Sequence, residues 1–154
     1  MSPVPSAVFH RQLAKPLASA AKAEDVWITD AEGRRFLDGS GGPLVVNVGH
    51  GREEIARAVA DQITRCAYVH PTMFTGEPVE RLASRLADLA PSGIGRFYFM
   101  ATGSEAVETA IKLARQIHVE RGEGQRFRLI SRWKSYHGLS LGALAATGRT
   151  GFRT

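Results

Sequence analysis

The sequence predicts an α/β fold whose sheet is only begun within these 154 residues. Three observations carry that expectation. An aromatic-rich apolar run at 97–101 passes through Thr102-Gly-Ser104 into a segment where Ala106, Val107, Ala110, Ile111, Ala114 and Ile117 recur at helical spacing. A second strand-like run, Phe127-Arg-Leu-Ile-Ser131, follows the polar break at 121–125 and completes a βαβ pattern. Nearer the N-terminus, residues 26–29 and 34–37 are short β-prone runs flanking Asp30-Ala-Glu-Gly33, a turn that closes on glycine and reads as a hairpin.

After the hairpin, Gly39, Gly41 and Gly42 loosen the chain before the apolar run 44–48. Glycine in such numbers is either a mobile linker or a place where backbone approaches a ligand, and spacing leaves both open. Residues 52–67 form a helix on the stripe Ile55, Val59 and Ile63, and Cys66, the single cysteine, reads as a small core residue on that face. Val79, Leu82, Leu86 and Leu89 predict another helix, with Thr75 as its cap and Pro78 tolerated in the first turn. Between these helices, Met73 and Phe74 read as core or interface residues under a loop, with direct substrate contact as the other reading. The piece 139–147 reads as a last helix. The chain therefore divides at about residue 70: residues 1–70 carry the hairpin and a linking helix, and residues 71–154 begin a larger α/β domain.

The chemistry concentrates at the turn before the long helix. Thr102 and Glu105 have the spacing of a capping box, which leaves the amides of Gly103 and Ser104 pointing outward at the positive end of the helix dipole. Strand, turn and helix alone would equally describe any well-capped helix. The wider context favours an anion cradle. In an open α/β sheet, ligands sit outside the carboxyl ends of the strands, so the turn at 102–104 and the loop Ser135-Tyr-His-Gly138 are expected to face one crevice. Tyr136 is thereby expected beside the anion.

Composition narrows the alternatives. The net charge of +5 raises nucleic acid or an acidic membrane as partners, but the arginines are dispersed along the chain as solvated helix faces rather than collected in a patch. No charged segment followed by an apolar core opens the chain, and no stretch is long and apolar enough to span a bilayer. His50, His70 and His137 fall in turns, but their spacing matches no metal site. A lone cysteine and no signal peptide point to the cytoplasm.

Three motifs in order, the stretch from Asp38-Gly-Ser-Gly-Gly to Gly49-His-Gly51, the stretch Gly103-Ser-Glu-Ala-Val-Glu-Thr-Ala-Ile-Lys-Leu-Ala-Arg115, and Tyr136-His-Gly138, resemble the N-terminal part of class III aminotransferases. These are pyridoxal-phosphate enzymes of fold type I. The resemblance, from about residue 24 onward, implies a partial fold type I architecture in which residues 71–154 start the cofactor-binding large domain. It implies that Thr102, Gly103 and Ser104 hold the cofactor phosphate, that Tyr136 stacks on the pyridine ring, and that His137 and Gly138 complete the cofactor contact. It further implies that Gly42 and Leu44 border the substrate, with the aliphatic Leu44 leaving the donor open, and that the loop bearing Met73 and Phe74 reaches a partner subunit in a homodimer.

The family's reaction moves an amino group from an amine or ω-amino acid to a 2-oxo acid. Related decarboxylases, racemases and aminomutases share the motifs. The lysine that forms the Schiff base and the aspartate that holds the pyridinium proton are expected beyond Thr154, so no catalytic residue is assigned within the chain, and neither Lys112 nor Lys134 matches the family's lysine. On this reading the chain by itself is inactive. The competing reading is a non-catalytic remnant that binds anions or a partner subunit.

Overall fold

The computed structural model describes residues 6–11, 14–149 and 151, which fall into two compact units, Met1–Thr75 and Gly76–Thr154.

The first unit is built on a three-stranded antiparallel meander, β1 (Ala20–Glu24), β2 (Trp27–Asp30) and β3 (Arg35–Leu37), in the order β1-β2-β3. The expected hairpin is its β2–β3 half, with Trp27 opposite Leu37 and Thr29 opposite Arg35. Two local devices close the turn. Gly33 takes φ +83° in open space, so its backbone conformation rather than crowding calls for glycine. The buried Asp30 carboxylate accepts from the amides of Glu32 and Arg34 at 3.1 and 2.8 Å and from Arg34 Nε at 2.6 Å. Burial alone would raise the Asp30 pKa, but the Arg34 hydrogen bonds and charge outweigh it and hold the group below its ordinary value. β1 pairs with β2 around a register shift between Ala20 and Lys22; the polar Ala-Ala-Lys-Ala-Glu composition gave no strand signal.

Beyond β3 the chain makes one irregular turn, α1 (Gly41–Leu44), in which Gly41, Gly42 and also Leu44 have positive φ. The loop returns to its origin. His50 exchanges two backbone hydrogen bonds with Asp25, at 2.9 and 2.7 Å, and its ring nitrogen Nε2 lies 2.9 Å from Asp38 Oδ2, while Asp38 Oδ1 accepts from the Gly42 amide at 3.2 Å. The His50 contact, then the Gly42 amide, lower the Asp38 pKa. Helix α2 (Glu53–Arg65) follows on the expected stripe, but Cys66 is not a core residue. The helix ends at Arg65 and Cys66 turns to extended φ/ψ; it is exposed, as are Ile55, Val59 and Ile63 of the stripe.

The second unit holds α3 (Glu77–Leu89), α4 (Gly103–Glu120) and α5 (Leu141–Ala146). Gly76, not Thr75, occupies the N-cap of α3, with proline in the first turn and no side-chain cap. The long helix α4 opens on the expected capping box, both halves of which form: Glu105 N–H donates to Thr102 Oγ1 at 3.2 Å and Thr102 N–H to Glu105 Oε2 at 3.0 Å.

The expected βαβ pairing does not form. Neither 97–101 nor 127–131 carries ladder hydrogen bonds among the described residues, and Tyr98, Phe127 and Ile130 stand 76, 67 and 96 % exposed. A strand exists only through its neighbour, and these runs have the composition of strands without a partner within the described chain. The small core lies instead around α5, where Ala143, Ala146 and Thr147 are buried.

Candidate functional site

The first turn of α4 supplies the donors. Glu105 N–H goes to Thr102 Oγ1 and Ala106 N–H to Thr102 O, while the amides of Gly103 and Ser104 have no partner among the described residues. A Cβ placed on Gly103 would meet no atom within 4 Å, so there is open space beside this residue. Thr102 serves the expected capping box. Its amide and its hydroxyl both point at Glu105 Oε2, at 3.0 and 3.3 Å, so its donors are spent within the box.

The loop at 136–139 comes down on this turn. Ser104 Oγ accepts the Leu139 amide at 3.0 Å and keeps its own proton to donate. Gly138 is buried with φ +134°, and a Cβ there would stand 2.5 Å from Ser104 Oγ and 2.9 Å from Ala143 Cβ. No other residue fits. Thr147 fixes the loop from behind: its Oγ1 accepts the His137 amide at 3.0 Å and has its proton within reach of Ala143 O at 2.9 Å and Gly138 O at 3.2 Å. Tyr136 is half-exposed, with the Arg149 guanidinium 5.5 Å above its ring centre. Chain reach keeps its Cα within about 11 Å of that of Leu139, hence close to the α4 turn.

Four residues further along α4, the Glu108 carboxylate accepts the Gly142 and Ala143 amides at 2.7 and 3.2 Å and so caps α5 from another helix. Its pKa is held below the ordinary range by the neighbouring Ser140 hydroxyl first and then by those two amides, although the buried Ser140 Oγ itself falls outside hydrogen-bond geometry. Gly142 lies flush on the carboxylate, where a Cβ would approach Oε2 to 2.5 Å.

Of the site residues expected from sequence, Thr102, Gly103 and Ser104 are therefore brought together with the loop Tyr136-His137-Gly138. Gly42, Leu44, Met73 and Phe74 belong to the first unit, where Leu44, Met73 and Phe74 are 77, 74 and 65 % exposed. Sequence reasoning missed Glu108, Thr147 and Arg149. The available signal for Glu108 was its place one turn below Ser104 on the same helix face. Among the described residues no cluster of three or more His, Cys, Asp or Glu could hold a metal, and no helix is long and apolar enough to cross a membrane.

Two amides without a partner among the described residues, a serine proton and the positive end of an 18-residue helix make a site whose chemistry suits a phosphate, and an aromatic ring on the adjoining loop suits a planar heterocycle. The residues present thus fit pyridoxal phosphate.

Comparison with known proteins agrees. The chain is 44 % identical over 130 residues to the uncharacterized aminotransferase YhxA of Bacillus subtilis, covering 84 % of this chain and 28 % of the relative. It is 38 % identical over 129 residues to the omega-aminotransferase of Caulobacter vibrioides, covering 83 % of this chain and 29 % of that protein. The (S)-enantioselective omega-transaminase of Thermomicrobium roseum superposes with a TM-score of 0.85 at 41 % identity, over 89 % of this chain and 31 % of the other. An amine transaminase of an uncultivated Pseudomonas species, in its PLP-bound form, superposes with a TM-score of 0.89 at 32 % identity, over 97 % of this chain and 35 % of the other. The chain thus spans about three tenths of the length of these relatives, and its fold is a partial α/β architecture of the kind found in PLP-dependent transaminases. With the family model for class-III aminotransferases matching residues 8–154 and the motif residues gathered at one helix end, the chain belongs to the class-III aminotransferases.

Proposed function

We propose that this chain forms the phosphate anchor and ring-stacking wall of a pyridoxal 5'-phosphate site, in an enzyme that transfers an amino group from an amine or ω-amino acid to a 2-oxo acid. The observation that carries the reading is the pair of amides at Gly103 and Ser104 that have no partner among the described residues, with the Tyr136 loop hydrogen-bonded to Ser104 Oγ at 3.0 Å. When bound, the cofactor supplies the electron sink that labilises bonds at the amino-bearing carbon of the substrate. The chain's residues bind and orient it. Gly103 N–H, Ser104 N–H and Ser104 Oγ–H donate to phosphate oxygens, Thr102 holds the turn in shape through Glu105, and Tyr136 offers a ring face. His137 and Gly138 set the loop's height over the turn through Thr147 and Ser104.

Substrate specificity belongs, on this reading, to the Gly42–Leu44 turn, where a positive φ at Leu44 turns an aliphatic side chain outward. A homodimer would cover the exposed Met73 and Phe74. The domain division near residue 70, with residues 71–154 forming the start of the cofactor domain, is part of the same proposal. So is the cytoplasm as its place of work, which suits a free, exposed Cys66.

Pyridoxal 5'-phosphate titrated into the 154-residue protein and followed by its visible absorbance tests the reading. Saturable binding that inorganic phosphate displaces is expected, weakened about tenfold or more by Ser104→Ala through loss of a hydrogen bond to a charged group. Binding that ignores both phosphate and Ser104→Ala would refute it.

A further inference from the structure

We propose that Glu108 is a positioning residue for the cofactor site: through α5 it holds the Tyr136 loop at the height where the ring can meet the cofactor. This rests on the functional reading above, since it assigns a role within that site.

Two contacts leave one face of α4 for the same later segment. Ser104 and Glu108 are one turn apart on α4, and both reach residues of the same later segment. Ser104 Oγ takes the Leu139 amide at 3.0 Å, across 35 residues; Glu108 Oε1 takes the Gly142 and Ala143 amides at 2.7 and 3.2 Å, across 34 and 35 residues. Two grips fix both the place and the direction of that segment, where one alone would leave a pivot.

At its start the segment depends on α4, while Thr147 and the buried Ala143 and Ala146 hold its far end. Helix α5 has six residues, too few to be stable by its own hydrogen bonds, and no side chain of its own caps it. The Glu108 carboxylate provides the missing cap. Two glycines record how closely the grips fit: a Cβ on Gly142 would stand 2.5 Å from Glu108 Oε2, and one on Gly138 would stand 2.5 Å from Ser104 Oγ.

From α5 the constraint passes to the loop through Thr147. Thr147 N–H donates to Ala143 O and Leu144 O, each at 3.0 Å, while its fully buried Oγ1 accepts the His137 amide at 3.0 Å. Tyr136 is the next residue, and Arg149, two residues past Thr147, lies over its ring at 5.5 Å. Glu108, α5, Thr147 and the Tyr136 loop thus form one continuous chain of hydrogen bonds. None of its links uses the Gly103 or Ser104 amides. The inference therefore separates two effects: loss of Glu108 disturbs the ring contact and leaves the phosphate contact in place.

A double-mutant cycle on the 154-residue protein reads this directly. Glu108→Ala and Tyr136→Ala are each expected to weaken pyridoxal 5'-phosphate binding by about threefold to tenfold, the range of an aromatic contact. The double variant is expected to be no weaker than Tyr136→Ala by more than about twofold, because both act on one contact. Inorganic phosphate affinity is expected to be unchanged in Glu108→Ala, and Glu108→Gln, whose Oε1 can accept the same two amides, is expected to recover most of the loss. Additive losses, an equal fall in phosphate affinity, or no recovery by glutamine would each overturn the inference.

Amide hydrogen exchange at Leu139 gives a second measurement that needs no cofactor. Its exchange is expected to quicken about tenfold relative to the α4 interior in Glu108→Ala, or in Glu108→Asp should the alanine variant fail to fold, and to stay near the parent rate in Glu108→Gln. If the parent protein binds no pyridoxal 5'-phosphate, the functional reading fails and Tyr136 is left without a ligand to meet, so the role of Glu108 falls with it. If the parent binds but Leu139 exchange is indifferent to residue 108, the functional reading stands and this inference alone falls.

Discussion

The hairpin at 27–37 and the clasp at 102–148 both close a turn with a carboxylate and a glycine, but they draw on opposite kinds of neighbour. In the hairpin, Asp30 accepts from residues two and four positions away, and Gly33 sits in open space where only its φ matters. In the clasp, Glu108 accepts from residues 34 and 35 positions away, and Gly138 is pressed on Ser104. The first closure costs little chain entropy and forms wherever its few residues occur. The second requires two helices to be in register before any of its bonds can form. The same contrast explains the strands. β2 finds β3 across a short turn, whereas 97–101 and 127–131 are separated by the whole of α4 and find no partner among the described residues.

The sharpest test of that contrast is a methyl group at each glycine. Gly138→Ala combines a positive φ with a Cβ at 2.5 Å from Ser104 Oγ and 2.9 Å from Ser104 Cα, and is expected to destabilise the protein by about 3 kcal/mol or more in urea denaturation. A loss below about 1 kcal/mol would mean that the clasp yields freely and is no lock. Gly33→Ala meets no atom within 4 Å and is expected to cost about 1 kcal/mol, the conformational penalty alone. Equal costs at the two sites would erase the distinction between local and tertiary closure.

The smallest effect is in the pH dependence. Asp30 and Glu108 both have folded pKa values below their ordinary ones, so each contributes stability that is fully present above the unfolded carboxylate value, near about 4, and is lost as pH falls through the folded value. The sign is the same at both closures. Glu108→Gln is expected to remove the clasp's share and flatten the acid limb of the melting temperature against pH, with the hairpin's share retained. An unchanged acid limb in that variant would mean that the Glu108 carboxylate titrates alike in the folded and unfolded chain.

Much of the candidate site could be read along the chain because its grammar is local. Thr102 and Glu105 spell a capping box within one turn, and the box forms as spelled. The Gly103-Ser104 amides follow from that box, since whatever it does not satisfy is left facing out. Local grammar also misled. Cys66 continues an apolar stripe in sequence while the helix beneath it ends one residue earlier. An aliphatic or aromatic run looks like a strand whether or not another strand comes beside it, which is why 97–101 and 127–131 could not be judged from composition.

Legible along the chain, therefore, are the elements whose closing contacts lie within a turn or two: the Asp30–Gly33 hairpin, the α2, α3 and α4 helices with their apolar stripes, and the motif order that identifies the family. It took packing to bring Gly138 onto Ser104, to let Glu108 cap a helix it is not part of, and to tie His137 to α5 through Thr147. The reason is physical: a hydrogen bond across 35 residues leaves no periodicity in the sequence, because its two ends are chosen by the packing of α4 against α5 and not by the residues between them.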